Sequence, residues 1–116
     1  MDHRYFYKSQ IEKVKAIHEC MISHLDDHFT LEQLAGQYDI SLTTMKECFK
    51  KLYGDSMYSY LKRYRMNAAA IMLKENPKSS IRQIGQHVGY SSAGKFSVAF
   101  KQVMGITPME YRGSTL

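Results

Sequence analysis

The sequence predicts an all-α fold of about seven helices, in which two helix-turn-helix subdomains are joined by a long helix. Three observations favour it: the composition, a series of helix-capping residues and an internal repeat. Hydrophobic residues make up 44% of the 116 residues, whereas Gly and Pro number only 7 and 2, which argues against a turn-rich β-sandwich. No apolar run is long enough to span a bilayer, and the first ten residues lack the pattern of a signal peptide.

Three helices are predicted in the first half of the chain. Ser9 opens one helix and Thr30 opens a short second one to about Tyr38, each with Glu or Gln three residues later, as in a capping box. A third runs from about Leu42 to Leu52 and is ended by Gly54. The core-facing residues predicted for the first and third helices are Ile11, Val14, Ile17, Met21, Ile22 and Leu25, and Met45, Cys48, Phe49 and Leu52.

Four helices are predicted in the second half. A long one runs from Ser56 to about Glu75 and is stopped by Asn76 and Pro77. Shorter ones are predicted over 81–88, 92–104 and from Thr107, with Pro108 at the first helical position. The face of the long helix expected to pack comprises Leu61, Tyr64, Ala68, Ile71 and Met72. The chain is thus predicted to be one domain over 1–116, with subdomains at 9–54 and 80–112 and a linker helix at 56–75.

An internal repeat relates the two halves. The first copy contains Leu34, Ala35, Asp39, Ile40, Ser41, Met45, Phe49, Lys50, Gly54, Ser56 and Tyr60. The second contains Ile84, Gly85, Gly89, Tyr90, Ser91, Phe96, Phe100, Lys101, Gly105, Thr107 and Tyr111. The offset is 50 residues up to Ser41 and Ser91 and 51 from Met45 and Phe96 onward. We therefore expect one inserted residue at the start of the longer helix of the second copy.

Each copy has the pattern of a helix-turn-helix. Asp39 and Gly89 suit the left-handed conformation in the turn, and the small residues Ala35 and Gly85 allow a close approach of the next helix. That next helix is amphipathic, and in this motif its polar face enters the major groove of DNA. Residues 1–28 carry four Lys/Arg against five Asp/Glu, and residues 29–116 carry twelve against six. The basic part of the chain therefore begins where the motifs begin.

The length of the long helix predicts how the two copies would bind DNA together. Its 20 residues correspond to about 30 Å, close to the roughly 34 Å between successive major grooves on one face of DNA. One chain is therefore expected to reach two adjacent grooves, without a dimer and without a palindromic site.

The sequence resembles the DNA-binding domain of the AraC/XylS family of bacterial transcription regulators. The resemblance covers about residues 30–112 and rests on Leu34, Ala35, Ile40, Ser41, Phe49, Lys50, Tyr60, Leu61, Arg65, Met66, Ala69, Ile81, Ile84, Gly89, Tyr90, Ser91, Phe96, Ser97, Ala99, Phe100, Lys101, Gly105, Thr107, Pro108, Tyr111 and Arg112. It implies a monomeric unit acting on promoter DNA, more often as an activator that contacts RNA polymerase than as a repressor. Many members also carry a sensor or dimerisation domain, so the chain is expected to be either an excised C-terminal domain or a stand-alone member.

The predicted DNA contacts fall mainly on the second helix of each copy. The resemblance places base contacts at Thr43, Lys46 and Glu47, with Thr44 on the same face, although Glu47 could instead orient Lys46 or Lys50. The base-facing residues predicted in the second copy are Ser92, Ala93, Gly94, Lys95 and Val98. Phosphate contacts are predicted at Thr30, Ser41, Lys50, Lys51, Ser80 and Lys101. Because the second face has few donors and acceptors, we expect it to discriminate less between bases.

Other residue clusters have simpler interpretations. Within the basic cluster Lys62, Arg63 and Arg65, we expect Arg65 to form a structural ion pair rather than a DNA contact. His18, His24 and His28 are expected on a solvated helix face rather than in a metal site. The two cysteines, Cys20 and Cys48, are expected to be free, buried or half-buried thiols in a reducing cytoplasm.

No cofactor is expected, because neither a phosphate-binding Gly loop, a nucleophile motif nor a carboxylate pair stands out in the sequence. An enzyme is therefore not expected. The alternative to a DNA-binding function is a helical protein-interaction adaptor or anti-activator that keeps the fold but no longer recognises DNA sequence. The best support for the adaptor is the scarcity of donors and acceptors on the predicted DNA-facing side of the second copy. Salt-dependent duplex binding would separate the two functions.

Overall fold

The computed structural model describes residues 5–115, which form seven α-helices and no strand. The helices are α1 (Lys8–Ser23), α2 (Leu31–Gln37), α3 (Leu42–Tyr53), α4 (Met57–Glu75), α5 (Ile81–His87), α6 (Ala93–Met104) and α7 (Pro108–Gly113). The all-α prediction is confirmed. Over these residues, no helix combines the length and the apolar character needed to cross a membrane.

The chain divides into two compact units. Within the described residues, unit 1 comprises 5–24 and 28–60, and unit 2 comprises 25–27 and 61–115. The division therefore falls inside α4, after Tyr60, whereas the sequence placed the end of the first subdomain at residue 54.

Hydroxyl side chains cap six of the helices. Each accepts a hydrogen bond from the backbone N–H three residues later, and the six are Thr30, Ser41, Ser56, Ser80, Ser92 and Thr107. In α2, α5 and α7 the third helical residue, Gln33, Gln83 or Glu110, accepts in return from the backbone N–H of the cap. These pairs satisfy N–H groups that have no partner within the helix.

The start of α1 differs from the prediction. Ser9 lies inside the helix, and Tyr7 is the residue that immediately precedes it. The backbone N–H of Tyr7 donates to Gln10 Oε1 at 2.9 Å. A Gln at the third helical position therefore satisfies this end without a hydroxyl cap. The helix also ends at Ser23, so Leu25 follows α1 rather than extending its apolar stripe.

The core of unit 1 forms where α1 and α2 pack against α3. The buried residues of unit 1 include Val14, Ile17, Met21, Leu34, Ala35, Met45, Cys48, Phe49 and Met57. Burial raises the pKa of the Cys48 thiol, and Cys20 is half-buried, so both cysteines are the free thiols that were predicted. Leu52 was expected to face inward, but it lies in the last turn of α3 and is 37% exposed.

His18 is buried, which corrects the prediction of a solvated helix face. It shares the inner face of α1 with Val14, Ile17 and Met21, and its ring stacks on Tyr53 with centroids 4.2 Å apart. Its Nε2 lies 2.8 Å from the Tyr60 hydroxyl, so the polar ring keeps a hydrogen-bond partner in the core. The exposed His24 instead places its Nδ1 3.1 Å from the Cys20 carbonyl.

The core of unit 2 forms around a face of α4 that the sequence identified only in part. Its buried residues are Met66, Ala69, Ala70 and Leu73 of α4, together with Ile84, Val88, Phe96, Ala99 and Phe100. Of the residues predicted for this face, Ala68 and Met72 are half-buried and pack against this core, whereas Ile71 is 60% and Tyr64 37% exposed. Apolar residues on α4 are not confined to its buried face, so periodicity alone located that face only in part.

The repeat is preserved in the packing of the two cores. In unit 1 the rings of Phe49 and Tyr60 meet edge to face at 5.4 Å. In unit 2 their counterparts Phe100 and Tyr111 meet in the same way at 5.6 Å. Each unit therefore holds its second motif helix, α3 or α6, with an equivalent aromatic contact.

Candidate nucleic-acid interface

The same turn connects the motif helices in each unit. Asp39 has a φ of 52° and Gly89 a φ of 95°, so both lie in the left-handed region as predicted. After them, the Ile40 N–H donates to the Ala35 carbonyl at 3.0 Å, and the Tyr90 N–H donates to the Gly85 carbonyl at 2.8 Å. This shared hydrogen bond fixes the direction in which α3 and α6 leave the turn.

The inserted residue lies in the turn and not in the helix, which corrects the prediction. Residues 38–41 separate α2 from α3, whereas 88–92 separate α5 from α6. Both second helices have 12 residues, and their caps are Ser41 and Ser92 rather than Ser41 and Ser91. The offset of 51 therefore applies from these caps through to Gly54 and Gly105.

The predicted face of unit 1 is accessible. Thr43, Lys46, Lys50 and Lys51 are exposed, and Thr44 and Glu47 are half-buried. Donors, acceptors and a methyl group therefore lie along one side of α3, which suits contact with base edges. Lys50 and Lys51 lie in the last turn of α3, where they also complement the negative end of the helix dipole.

An aromatic segment adjoins the start of this face. Thr44, together with Tyr5, Phe6, Tyr7 and Gln10, lines an open cavity of about 320 Å³. Tyr5 and Tyr7 are exposed, whereas Phe6 is half-buried. The surface around Thr44 therefore includes residues that the sequence did not associate with α3.

The predicted face of unit 2 is also accessible, but it is chemically sparse. Gly94, Lys95 and Val98 are exposed and Ala93 is half-buried. Ser92 is the cap of α6, and its Oγ accepts from the Lys95 N–H at 3.1 Å. Lys95 is therefore the one long polar side chain among the five residues predicted to face bases in this unit.

The hydroxyl groups predicted to meet phosphates are already engaged as acceptors. Thr30, Ser41 and Ser80 accept from backbone N–H groups at 3.0 to 3.1 Å. A hydroxyl that accepts in this way still has its own hydrogen to donate to a phosphate oxygen. Capping and phosphate binding are therefore compatible at these three residues.

Arg65 has a structural contact in unit 2. Its guanidinium donates to the Asp27 carbonyl at 3.1 Å and lies beside Gly89, where an added Cβ would come within 3.0 Å of it. The contact thus supports a structural role through a backbone carbonyl. Within residues 5–115, no three His, Cys, Asp or Glu side chains are grouped closely enough to hold a metal ion.

A family model described as a helix-turn-helix domain matches residues 34–114. A putative AraC-like transcription regulator of Streptomyces lividans is 37% identical over 84 residues, which is 72% of this chain and 27% of that protein. The chain belongs to the AraC/XylS family of bacterial transcription regulators.

Other relatives of this AraC/XylS chain agree with the assignment. The transcriptional activator RhaR of Mannheimia succiniciproducens is 27% identical over 104 residues, 90% of this chain and 37% of that protein. The chain thus spans between a quarter and two fifths of the length of these curated relatives. The named relatives are transcription regulators, a class without enzymatic activity.

The fold is shared with AraC-type domains of known structure. The C-terminal domain of AraT from Geobacillus stearothermophilus is similar with a TM-score of 0.81 and 31% identity, covering 86% of this chain and 83% of that one. The DNA-binding domain of AdpA, in complex with a target DNA, has a TM-score of 0.76 and 24% identity, with 89% of each chain covered. At 24% identity, the AdpA structure supports only the similarity in fold.

In this AraC-type chain, the offset of 51 also points to two residues that are not among the predicted DNA contacts. It pairs Lys46 with Ser97, which is half-buried, and Lys51 with Gln102, which is exposed. It also pairs Thr43 with Gly94 and Glu47 with Val98. The offset of 51 already holds from Met45 and Phe96 onward in the sequence, so applying it to Lys46 and Lys51 would have found Ser97 and Gln102 from the sequence alone.

Proposed function

We propose that this AraC-type domain binds double-stranded DNA sequence-specifically, with α3 and α6 each entering a major groove and the two grooves adjacent on one face. The observation that carries the proposal is the repetition of one arrangement in both units: a short helix, a left-handed turn, a serine cap and a 12-residue helix. The exposed side of each second helix carries lysines and small polar or apolar side chains. These suit phosphate contact and base contact respectively.

Unit 1 would select bases. Lys46 can donate to O6 and N7 of guanine, Thr43 can contact a thymine methyl group, and Glu47 can accept from N4 of cytosine. Lys50 and Lys51 would neutralise phosphates, together with hydroxyl donation from Thr30 and Ser41. This division follows from exposure and chemistry: the lysines in the last turn lie away from the helix start that approaches the bases.

Unit 2 would discriminate less. Ala93 and Val98 offer apolar contact to thymine methyl groups, Gly94 allows close backbone approach, and Lys95 supplies charge. Ser92 is engaged as the cap of α6, so its hydroxyl would serve DNA as a donor, in the same way as those of Ser41 and Ser80. Lys101, the counterpart of Lys50, would contact a phosphate.

Selection of bound duplexes from a random pool, followed by footprinting, tests this function. We expect one protected face about two helical turns long, with strong base preference across one half and weak preference across the other. Protection of a single groove would contradict binding by both units. Strong preference in the second half that persists in Lys95→Ala would contradict the proposed weak discrimination by unit 2.

The alternative function, a protein-interaction adaptor or anti-activator, is favoured by the sparse face of α6. Salt dependence separates the two. Each phosphate contact contributes about −0.9 to the slope of log affinity against log salt concentration, so a DNA-binding chain loses affinity steeply between low and moderate salt. A flat slope, or no duplex binding at low salt, would favour the adaptor.

At a promoter, the chain would act as a regulator in the cytoplasm, with this segment monomeric and RNA polymerase as a candidate partner. Activation is favoured over repression because RhaR is named a transcriptional activator. A reporter with the selected site placed upstream of its promoter tests the sign. We expect higher reporter output with the chain present, and lower output would indicate a repressor.

A further inference from the structure

A lysine of α4 contacts the outer surface of α6 within unit 2. Lys62 Nζ donates a hydrogen bond to Gln102 Oε1 at 2.6 Å, between side chains 40 residues apart in sequence. Gln102 is exposed and Lys62 is half-buried. The ammonium group therefore lies at the surface, over the last turns of α6.

The repeat gives this contact a functional meaning. The last turn of α3 contains Lys50 and Lys51, and the offset of 51 places Lys101 and Gln102 at the corresponding positions of α6. Unit 2 therefore lacks one of the two cations that unit 1 presents there. The Lys62 ammonium, held at Gln102, restores a positive charge at the position where the repeat has lost it.

We propose that Lys62 is a DNA-phosphate contact of unit 2 and replaces, from α4, the lysine that unit 1 carries at residue 51. An ammonium group has three donors. Gln102 takes one of them and thereby positions Nζ, which leaves two for phosphate oxygens. The proposal rests on the proposed binding of duplex DNA and adds Lys62 to the phosphate contacts proposed there.

The competing interpretation is that Lys62 merely ties α4 to α6. Stability does not distinguish the two roles, because loss of the hydrogen bond lowers stability in both. Salt dependence does, because only a phosphate contact releases counterions when DNA binds.

The test measures the affinity of the whole chain for a 30-base-pair mixed-sequence duplex over a series of KCl concentrations. In Lys62→Met we expect the log–log slope to become shallower by about 0.9, the contribution of one phosphate contact. The double variant Lys62→Met with Gln102→Lys places the cation on α6, as in unit 1, and should recover the original slope. Lys15→Met removes an exposed charge from α1, outside every proposed contact, and should leave the slope unchanged.

Three results would overturn the inference. One is a wild-type slope in Lys62→Met, another is the same loss of slope in Lys15→Met, and the third is no recovery in the double variant. Lys62→Gln, which keeps a polar side chain beside Gln102, gives the same test if the Met variant folds poorly by circular dichroism. If the wild type shows no salt-dependent binding, the proposed function fails as well. A steep wild-type slope that Lys62→Met leaves unchanged contradicts only the role of Lys62.

Discussion

Two glycines of the motif helices have opposite surroundings. An added Cβ at Gly85 of α5 would lie 3.0 Å from Cβ and Cγ of Phe96, whereas at Gly36 of α2 it would meet nothing within 4 Å. Phe96 is fully buried on α6, so it has little room to move. The close approach of the two motif helices in unit 2 therefore depends on the absence of a side chain at residue 85.

Gly85→Ala should therefore lower the free energy of unfolding by about 1–3 kcal/mol, the usual effect of overpacking. Gly36→Ala should raise it by up to about 1 kcal/mol, because alanine favours the helix and no contact opposes it. Urea denaturation followed by circular dichroism measures both. Two shifts of the same sign would show that helix propensity, and not the contact with Phe96, dominates at residue 85.

At the scale of the element, the short helix α7 has a titratable cap. Glu110 Oε1 accepts from the Thr107 N–H at 2.9 Å, and the Thr107 hydroxyl accepts from the Glu110 N–H at 3.2 Å. The backbone hydrogen bond from Thr107 is the main cause that lowers the pKa of Glu110 from its ordinary value of 4.5. The carboxylate form therefore stabilises α7 more than the protonated form does.

Glu110→Gln should remove this dependence on pH. The stabilisation is complete above pH 4.5 and is lost as the pH falls through the lowered pKa. The amide does not titrate, so we expect the wild type to have the higher Tm at pH 7 and the difference to shrink toward pH 3. Melting curves at several pH values measure it.

The variant keeps a capping residue, since Gln occupies the same position in α2 and α5. A difference in Tm that stays constant with pH would show that the carboxylate charge does not contribute.

Most helix ends were predictable, although Ser9, which also precedes a Glu by three residues, lies inside α1. Helix faces were predictable only in part. A hydroxyl residue three positions before Gln or Glu has a local chemical cause, and Thr30, Ser80 and Thr107 indeed cap their helices. The buried face of α4 depends on which neighbours reach it. Ala69 and Ala70 are buried while the larger Ile71 is exposed, a choice that hydrophobicity alone does not make. The cap of α6 was ambiguous for another reason, since Ser91 and Ser92 both suit it.

For the whole molecule, the proposal assigns unequal roles to two units of the same construction. Lys46→Ala should reduce base discrimination in one half of the selected site by about 1–3 kcal/mol per affected base pair, because a lysine donating to guanine is lost. Val98→Ala should have a smaller effect, confined to the other half. Competition binding with single-base variants of the site measures both.

A loss that is uniform across all sequence variants would show instead that Lys46 contacts a phosphate. In that case the choice of bases would have to come from other residues of α3. The same set of duplexes shows which half of the site each substitution affects.

The family and its fold were predictable from the sequence because the repeat and the signature residues are local patterns. The exposed faces of α3 and α6 were predictable for the same reason. The contact between Lys62 and Gln102 was not, because it joins residues 40 positions apart on two helices. His18 likewise depended on tertiary structure, since its partners Tyr53 and Tyr60 come from α3 and α4.

Gly94 leaves open space on the surface of α6 that a side chain could fill. Nothing lies within 4 Å of where its Cβ would be, and its backbone does not require glycine. Side chains introduced there would project from the first helical turn without disturbing the core, and most would also favour the helix. In the proposed binding mode, one codon change at residue 94 would therefore give unit 2 a new base preference while its fold and its proposed phosphate contacts stay as they are. In that mode, the domain would change the DNA sites that it selects while it continues to bind DNA.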